Sequence, residues 1–112
     1  MSNINIMVIG SENYNDFKQF CEMLDPVVAS IERNYAKVAR IITGKQNGTD
    51  SMSRRYAMEK GYPIIVSDDL FNQVNESEAV IAFRNSGNKN TNSIVGKAKD
   101  AGVPVTMIQI NV

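Results

Sequence analysis

Apolar residues along the chain fall into two patterns, dense short runs and helically spaced positions. The dense runs are rich in Ile and Val, and we predict them as strands: Ile4–Ile9, Val38–Thr43, Ile64–Val66, Ala79–Phe83 and Val105–Ile110. Because the runs are dense rather than strictly alternating, the strands should be covered on both faces.

Helical spacing fills the segments between these runs. Phe17, Phe20, Cys21 and Leu24 repeat at helical intervals, which predicts a helix from an N-cap at Asp16 to about Asn34, either kinked at Pro26 or broken there into two. Three more helices are predicted from the same spacing. The first has its cap at Thr49 or Asp50 and ends at Gly61, the second is a short stretch within 68–77, and the third has its cap at Thr91 and ends at Gly102.

Strands that alternate with helices predict a mainly parallel sheet. We therefore expect one α/β domain over residues 1–112, a Rossmann-like three-layer sandwich whose five-stranded sheet carries helices on both faces. Ligands of such sheets bind beyond the carboxyl ends of the strands. Three loops leave strand ends directly before helices and should converge there: 10–15, 44–50 and 84–90.

Composition narrows the range of functions. The 112 residues carry twelve basic and twelve acidic side chains, one Cys and no His. Balanced charge argues against nucleic-acid binding, and without His we predict neither a metal site nor a cofactor. No run approaches the roughly 20 apolar residues of a membrane span, and the N-terminus lacks a signal peptide, so we expect no membrane association and a cytoplasmic location.

The loop Gly44–Asp50 is the strongest candidate for ligand binding. Gly44 lets the backbone turn directly after a strand, and Gly48 leaves space at the start of the next helix. Backbone N–H groups there would favour an anion; the alternative is a tight turn without a ligand. Neither a Walker sequence nor the dinucleotide pattern G-x-G-x-x-G is present.

Several side chains near this loop have two interpretations. Asp50 is either an N-cap, accepting from the N–H of Met52 or Ser53, or a ligand for a ribose hydroxyl. Arg54 either reaches a phosphate or lies on a solvated face. Tyr14 either stacks on a base or packs against a neighbouring helix.

The second polar loop and the possible catalytic residues do not narrow the range of functions further. Asn90 and Thr91 could bind an anion or a base edge at a helix start, or belong to an ordinary polar loop. Glu12, the only carboxylate of the first loop, could act as a general base or remain a solvated side chain. No catalytic residue is assigned.

The sequence of the chain resembles the SLOG superfamily, in its small YspA-like branch. The resemblance rests on Thr43-Gly44, Gly48-Thr49-Asp50, Ala57, Gly61 and Pro63 within IITGKQNGTDSMSRRYAMEKGYPIIV. VIGSENYND and AVIAFRNSGNKNTNSIVGKAKDAGVPV resemble the start and the second half of that branch.

The resemblance implies a Rossmann-like sheet that binds nucleotides or nucleotide derivatives. Enzymatic relatives are phosphoribohydrolases that release the base of a nucleoside monophosphate. Others are sensors or binders in bacterial and phage conflict systems, which points to a phage or mobile element as the source. Carried over by position, ligand contacts would fall on Gly10, Ser11, Gly44, Gly48, Asp50 and Thr91.

Departures from the family pattern favour a binder over an enzyme. Glu12 stands where the branch has Arg, and Asn90 stands where Gly is expected. The family's catalytic Glu after Thr91 is missing.

We therefore expect a sensor or sequestering protein for a nucleotide or nucleotide-derived metabolite. The two alternatives are an N-glycoside hydrolase and an interaction module with a vestigial site. The expected ligand contacts are Gly10, Ser11, Tyr14, Gly44, Gly48, Thr49, Asp50, Arg54, Asn90 and Thr91. A homodimer through the helices is expected to complete the site.

Overall fold

Strands and helices alternate along the chain. The structure, a computed structural model, describes residues 3–34, 37–85 and 89–110. Its strands are β1 (Asn3–Gly10), β2 (Lys37–Thr43), β3 (Ile64–Val66), β4 (Ala79–Arg84) and β5 (Val105–Gln109). Its helices are α1 (Phe17–Asn34), α2 (Thr49–Lys60), α3 (Leu70–Gln73), which runs into a 3-10 turn at Val74–Glu76, and α4 (Lys89–Asp100).

The strands form one parallel sheet in the order β3-β2-β1-β4-β5. The chain steps outward from β1 to β3 and then returns to the other side of β1 with β4. This reversal places the topological switch point between β1 and β4. The predicted fold class, an α/β Rossmann-like sandwich, is confirmed.

Each face of the sheet has its own apolar core. Ile6 and Val8 of β1 pack with buried residues of α1 and α2, whereas Met7 and Ile9 pack with those of α4 and the 3-10 turn. Both sets are buried because successive side chains of a strand point to opposite faces. The apolar runs in the sequence are dense because these strands are covered on both faces.

The first helix follows its prediction. Asp16 caps α1, since its Oδ1 accepts a hydrogen bond from the Gln19 N–H at 3.1 Å. Of the two alternatives for Pro26, the structure has a single helix that continues through it. Gly61 and Gly102, with φ of 80° and 76°, adopt the left-handed conformation that ends α2 and α4.

Two predicted N-caps were wrong. The N-cap of α2 is Gly48, with φ 71° and no side-chain hydrogen bond, because the carboxylate of Asp50 turns back into the preceding loop. Helix α4 begins at Lys89, before Thr91, so Thr91 lies inside the first turn. Ala101, within the predicted limits Thr91 to Gly102 of this helix, is exposed and lies beyond its last residue, Asp100.

Candidate functional site

A cleft opens at the carboxyl edge of the sheet. It lies between the loop after β2, the loop after β3 and the first turns of α4, and encloses about 380 Å³. Its lining residues are Gly44, Lys45, Gln46, Asp50, Ser67, Asp68, Asp69, Leu70, Phe71, Asn90, Ser93 and Ile94.

Gly44 and Asp50 meet at the wall of this cleft. A Cβ on Gly44 would lie 2.4 Å from Asp50 Oδ2, so only glycine leaves room for the carboxylate. The same oxygen accepts a hydrogen bond from the Gln46 N–H at 3.3 Å. An N–H group of the expected anion cradle therefore already has an acceptor, a carboxylate of the chain itself.

The other oxygen of Asp50 is less fully bonded. The Thr43 hydroxyl lies 3.3 Å from Asp50 Oδ1 and 3.0 Å from the carbonyl oxygen of Val8. Since a hydroxyl has one proton to donate, it can serve only one of these acceptors fully. When that proton goes to Val8, Oδ1 can accept from another donor.

Burial shifts the pKa of Asp50. The residue is 5% exposed, and this desolvation raises the pKa of its carboxyl group. Hydrogen bonds from the Gln46 and Gly44 N–H groups and from the Thr43 hydroxyl, together with the nearby charge of Arg54, act in the opposite direction without cancelling it. A raised pKa and a position at a cleft wall are both common features of functional carboxylates.

The N-terminus of α2 is covered by the first loop. Thr49 donates to the carbonyl oxygen of Ser11 from its N–H at 3.0 Å and from its hydroxyl at 2.9 Å. A Cβ on Gly48 would lie 2.4 Å from the backbone of Glu12. The space that we expected Gly48 to leave for a ligand is therefore occupied by the chain.

Two further predicted contacts lie in the interior beside β4. A Cβ on Gly10 would lie 2.2 Å from the carbonyl oxygen of Phe83. Tyr14 is 1% exposed, stacks on Phe83 with 5.9 Å between ring centroids, and donates its hydroxyl to Gln19 Oε1 at 2.8 Å. A ring buried in this way has no face open to a base, so of the two alternatives Tyr14 follows packing, with its ring against strand β4 and its hydroxyl against helix α1.

Arg54 holds the loop together from the outside. Its guanidinium donates to the carbonyl oxygens of Gly44 and Gln46. The side chain is therefore not purely solvated, and a contact between Arg54 and a phosphate stays a prediction. Arg54 does not line the cleft.

The first turns of α4 supply the opposite wall. Asn90 and Ser93 line the cleft from exposed positions, whereas Thr91 is 2% exposed and lies outside the lining. The cleft therefore brings together Gly44, Asp50 and Asn90 of the predicted contacts. It does not include the others, which are Gly10, Ser11, Tyr14, Gly48, Thr49, Arg54 and Thr91.

The loop after β3 was missed by the sequence argument. Asp68 forms an ion pair with Lys45 at 2.9 Å, and Asp69 caps α3 by accepting from the Asn72 N–H at 3.3 Å. This loop also joins the carboxyl end of a parallel strand to a helix. The rule that selected the other three loops applies to it equally and would have found it.

Basic groups are few at this edge of the sheet. At the switch point β4 ends in Arg84, whose Nε is buried and has no hydrogen-bond partner among the residues that the structure describes. Residues 86–88 of the predicted second lip lie outside the described part of the chain.

The described ranges 3–34, 37–85 and 89–110 contain neither a metal-binding cluster nor a membrane-spanning helix. No three or more Cys, Asp or Glu side chains there are grouped so that they could hold a metal ion. No helix in those ranges combines the length and the apolar character needed to cross a membrane.

Comparison of the chain with protein families, with curated proteins and with solved structures finds no match.

Proposed function

We propose that the protein binds a nucleotide or nucleotide-derived metabolite in the cleft, as a sensor or sequestering protein. The observation that carries the proposal is the Asp50 carboxylate, buried at the cleft wall with Oδ1 only partly engaged by Thr43. A ribose hydroxyl is a donor of the kind that such an oxygen accepts. The resemblance to the SLOG superfamily agrees with this ligand class and is part of the proposal.

The dimensions and chemistry of the cleft suit such a ligand. Its volume of about 380 Å³ is within the ~300–1,000 Å³ usual for small-molecule sites. The amides of Gln46 and Asn90 and the hydroxyls of Ser67 and Ser93 supply donors and acceptors for a base edge.

Charge argues for a different phosphate position from the one first expected. Asp50, Asp68 and Asp69 line the cleft with one basic residue, Lys45. A phosphate would be repelled from the Gly44 side and would lie more favourably toward solvent at the first turn of α4, whose helix dipole attracts anions.

A panel of ligands tests the proposal. Mono-, di- and cyclic nucleotides and ADP-ribose would be added in thermal-shift and calorimetric titrations, and a specific ligand should raise the melting temperature. Asp50→Asn should weaken that binding roughly tenfold or more, because hydrogen bonds to a charged acceptor are the stronger ones. Asp100→Asn, an exposed change at the end of α4, is the matched control.

No response from any of these ligands at millimolar concentration would refute the proposal. If Gly44→Val and Asp50→Ala variants then kept binding to a protein partner, the interaction module would be the better description. We also propose a homodimer, which sedimentation equilibrium of the whole chain would test.

One observation favours a second candidate, an N-glycoside hydrolase. Burial raises the pKa of Asp50, which is the condition a carboxyl group needs to transfer protons near neutral pH. Release of free base from nucleoside monophosphates would be followed by chromatography. Asp50→Asn should abolish the release, whereas Glu12→Gln, a change at an exposed residue outside the cleft lining, should not.

A further inference from the structure

Phe71 is a large apolar side chain in an unusual place. Most aromatic rings of the described chain are buried or half-buried, yet Phe71 is 47% exposed on the short helix α3. Single exposed hydrophobic residues are common and need no function. Phe71 differs because it lines the cleft, on the border with a neighbouring groove that it shares with Lys97.

The ring is held from one side. The ammonium group of Lys97 lies 4.4 Å from the ring centroid, a cation–π distance. The same ammonium donates to Asn72 Oδ1 at 3.1 Å, which ties it to the residue next to Phe71. The cation therefore covers one face of the ring and restricts its orientation.

The helix that carries the ring is anchored beneath it. Val74 is fully buried, and Leu70 packs against the core shared by the sheet and α4. Asp69 caps the start of α3 through the Asn72 N–H. With its neighbours fixed in this way, Phe71 faces outward on a supported element rather than at the tip of an unsupported loop.

We propose that Phe71 is the platform on which the planar base of the ligand stacks. This rests on the proposed function and assigns the base to the α3 side of the cleft, in place of the buried Tyr14. A flat ring gains by stacking on an exposed aromatic face, and any base can do so because each has a π-face. The same placement keeps the ribose in the cleft that Asp50 also lines.

The test separates the base from the rest of the ligand. Binding of adenosine monophosphate, guanosine monophosphate and ribose phosphate to the whole chain would be measured by calorimetry. Phe71→Ala should weaken binding of the nucleotides by roughly five- to hundredfold, the range that base–aromatic stacking supplies. It should leave ribose phosphate unchanged, because that ligand has no base.

Two further variants distinguish stacking from simple apolar contact. Phe71→Tyr should keep the affinity for nucleotides, whereas Phe71→Leu should lose it almost as fully as alanine does. The chain has no Trp, so Phe71→Trp also provides a single indole whose fluorescence should be quenched when a base stacks on it. Melting curves of each variant report folding separately.

The outcomes distinguish this inference from the function on which it rests. Nucleotide binding that depends on Asp50 but is equal in Phe71→Ala and the natural chain would overturn the stacking role and leave the proposed function intact. Equal losses for nucleotides and ribose phosphate would also overturn it, since the effect would then not concern the base. Failure of all nucleotides to bind the natural chain would remove both proposals.

Discussion

At the scale of single residues, Gly44 and Asp50 are complementary. The carboxylate fills the space that a side chain at position 44 would need, since a Cβ there would lie 2.4 Å from Oδ2. Gly44→Ala should therefore displace the carboxylate and destabilise the protein by about 1–3 kcal/mol, the usual cost of overpacking. Urea unfolding would measure the loss.

Gly96 provides the matched control for that substitution. It lies within α4, and a Cβ there would have no heavy atom within 4 Å. Gly96→Ala should be stabilising by about 0.5–1 kcal/mol, because alanine is the better helix former. Equal effects of the two substitutions would mean that the space beside Asp50 does not matter.

Asp50 also makes a prediction about pH. Its pKa is raised in the folded protein above the ordinary value of 3.8, so the folded state binds the proton more tightly than the unfolded state. The resulting stabilisation is complete below the unfolded pKa and is lost as pH rises through the folded pKa.

Asp50→Asn, which cannot ionise, isolates this contribution. The free energy of unfolding of the natural chain, measured relative to this variant, should fall as pH rises from about 4 toward neutral. Urea unfolding of both proteins across that range would measure the difference, in which the other carboxylates cancel. A difference that does not vary with pH, or that rises, would show that the pKa is not raised.

At the scale of elements, the periodicity of the sequence was sufficient to predict every strand and the main helices. It failed at the N-termini of α2 and α4, because capping depends on which backbone group a side chain meets in three dimensions. Asp50 had a nearby N–H in α2 available to it, but the turn at Gly44 brings the Gln46 N–H to its carboxylate instead. The spacing of residues along the sequence does not show which of these two N–H groups the carboxylate will bind.

Helix α1 makes the prediction that belongs to this scale. Pro26 lies in its middle and cannot donate a backbone hydrogen bond. Pro26→Ala should restore that bond and stabilise the protein by about 1–3 kcal/mol. The gain is reduced by the greater conformational entropy of the unfolded chain without this proline. Ala29→Pro, at another exposed position of the same helix, should destabilise it by about 3 kcal/mol or more. Thermal unfolding would compare the two, and a loss of stability in Pro26→Ala would mean that the helix depends on its proline.

At the scale of the whole molecule, the sequence correctly predicted the sheet and the edge where a cleft would form, but only part of the lining. Gly44, Asp50 and Asn90 were found because the glycine turn after β2 and the polar segments leading into α2 and α4 are visible in the sequence, although the exact first residues of those helices are not. Gly10 and Gly48 gave the same signal for another reason, close backbone contact within the chain itself: Gly10 lies against Phe83 of β4, and Gly48 lies against Glu12 of the first loop. Phe71 was missed because the short apolar stretch within 68–77 was predicted only as helix, and spacing does not show which of its apolar side chains stays exposed.

The balance of charge in the cleft leads to the last prediction. Carboxylates of Asp50, Asp68 and Asp69 surround a space that holds the single ammonium of Lys45, already paired with Asp68 at 2.9 Å. Each additional phosphate on a ligand should therefore weaken binding. We expect a nucleoside triphosphate to bind roughly tenfold more weakly than its monophosphate at low ionic strength. This difference in affinity should become smaller as salt screens the charges.

Asp68→Asn should reduce the difference in affinity between triphosphate and monophosphate, because it removes one carboxylate and frees Lys45 for the phosphates, whereas Asp100→Asn should leave that difference unchanged. Calorimetric titrations at two salt concentrations would measure these affinities, and tighter binding of the triphosphate would contradict the assignment of the cleft as electrostatically unfavourable to phosphate.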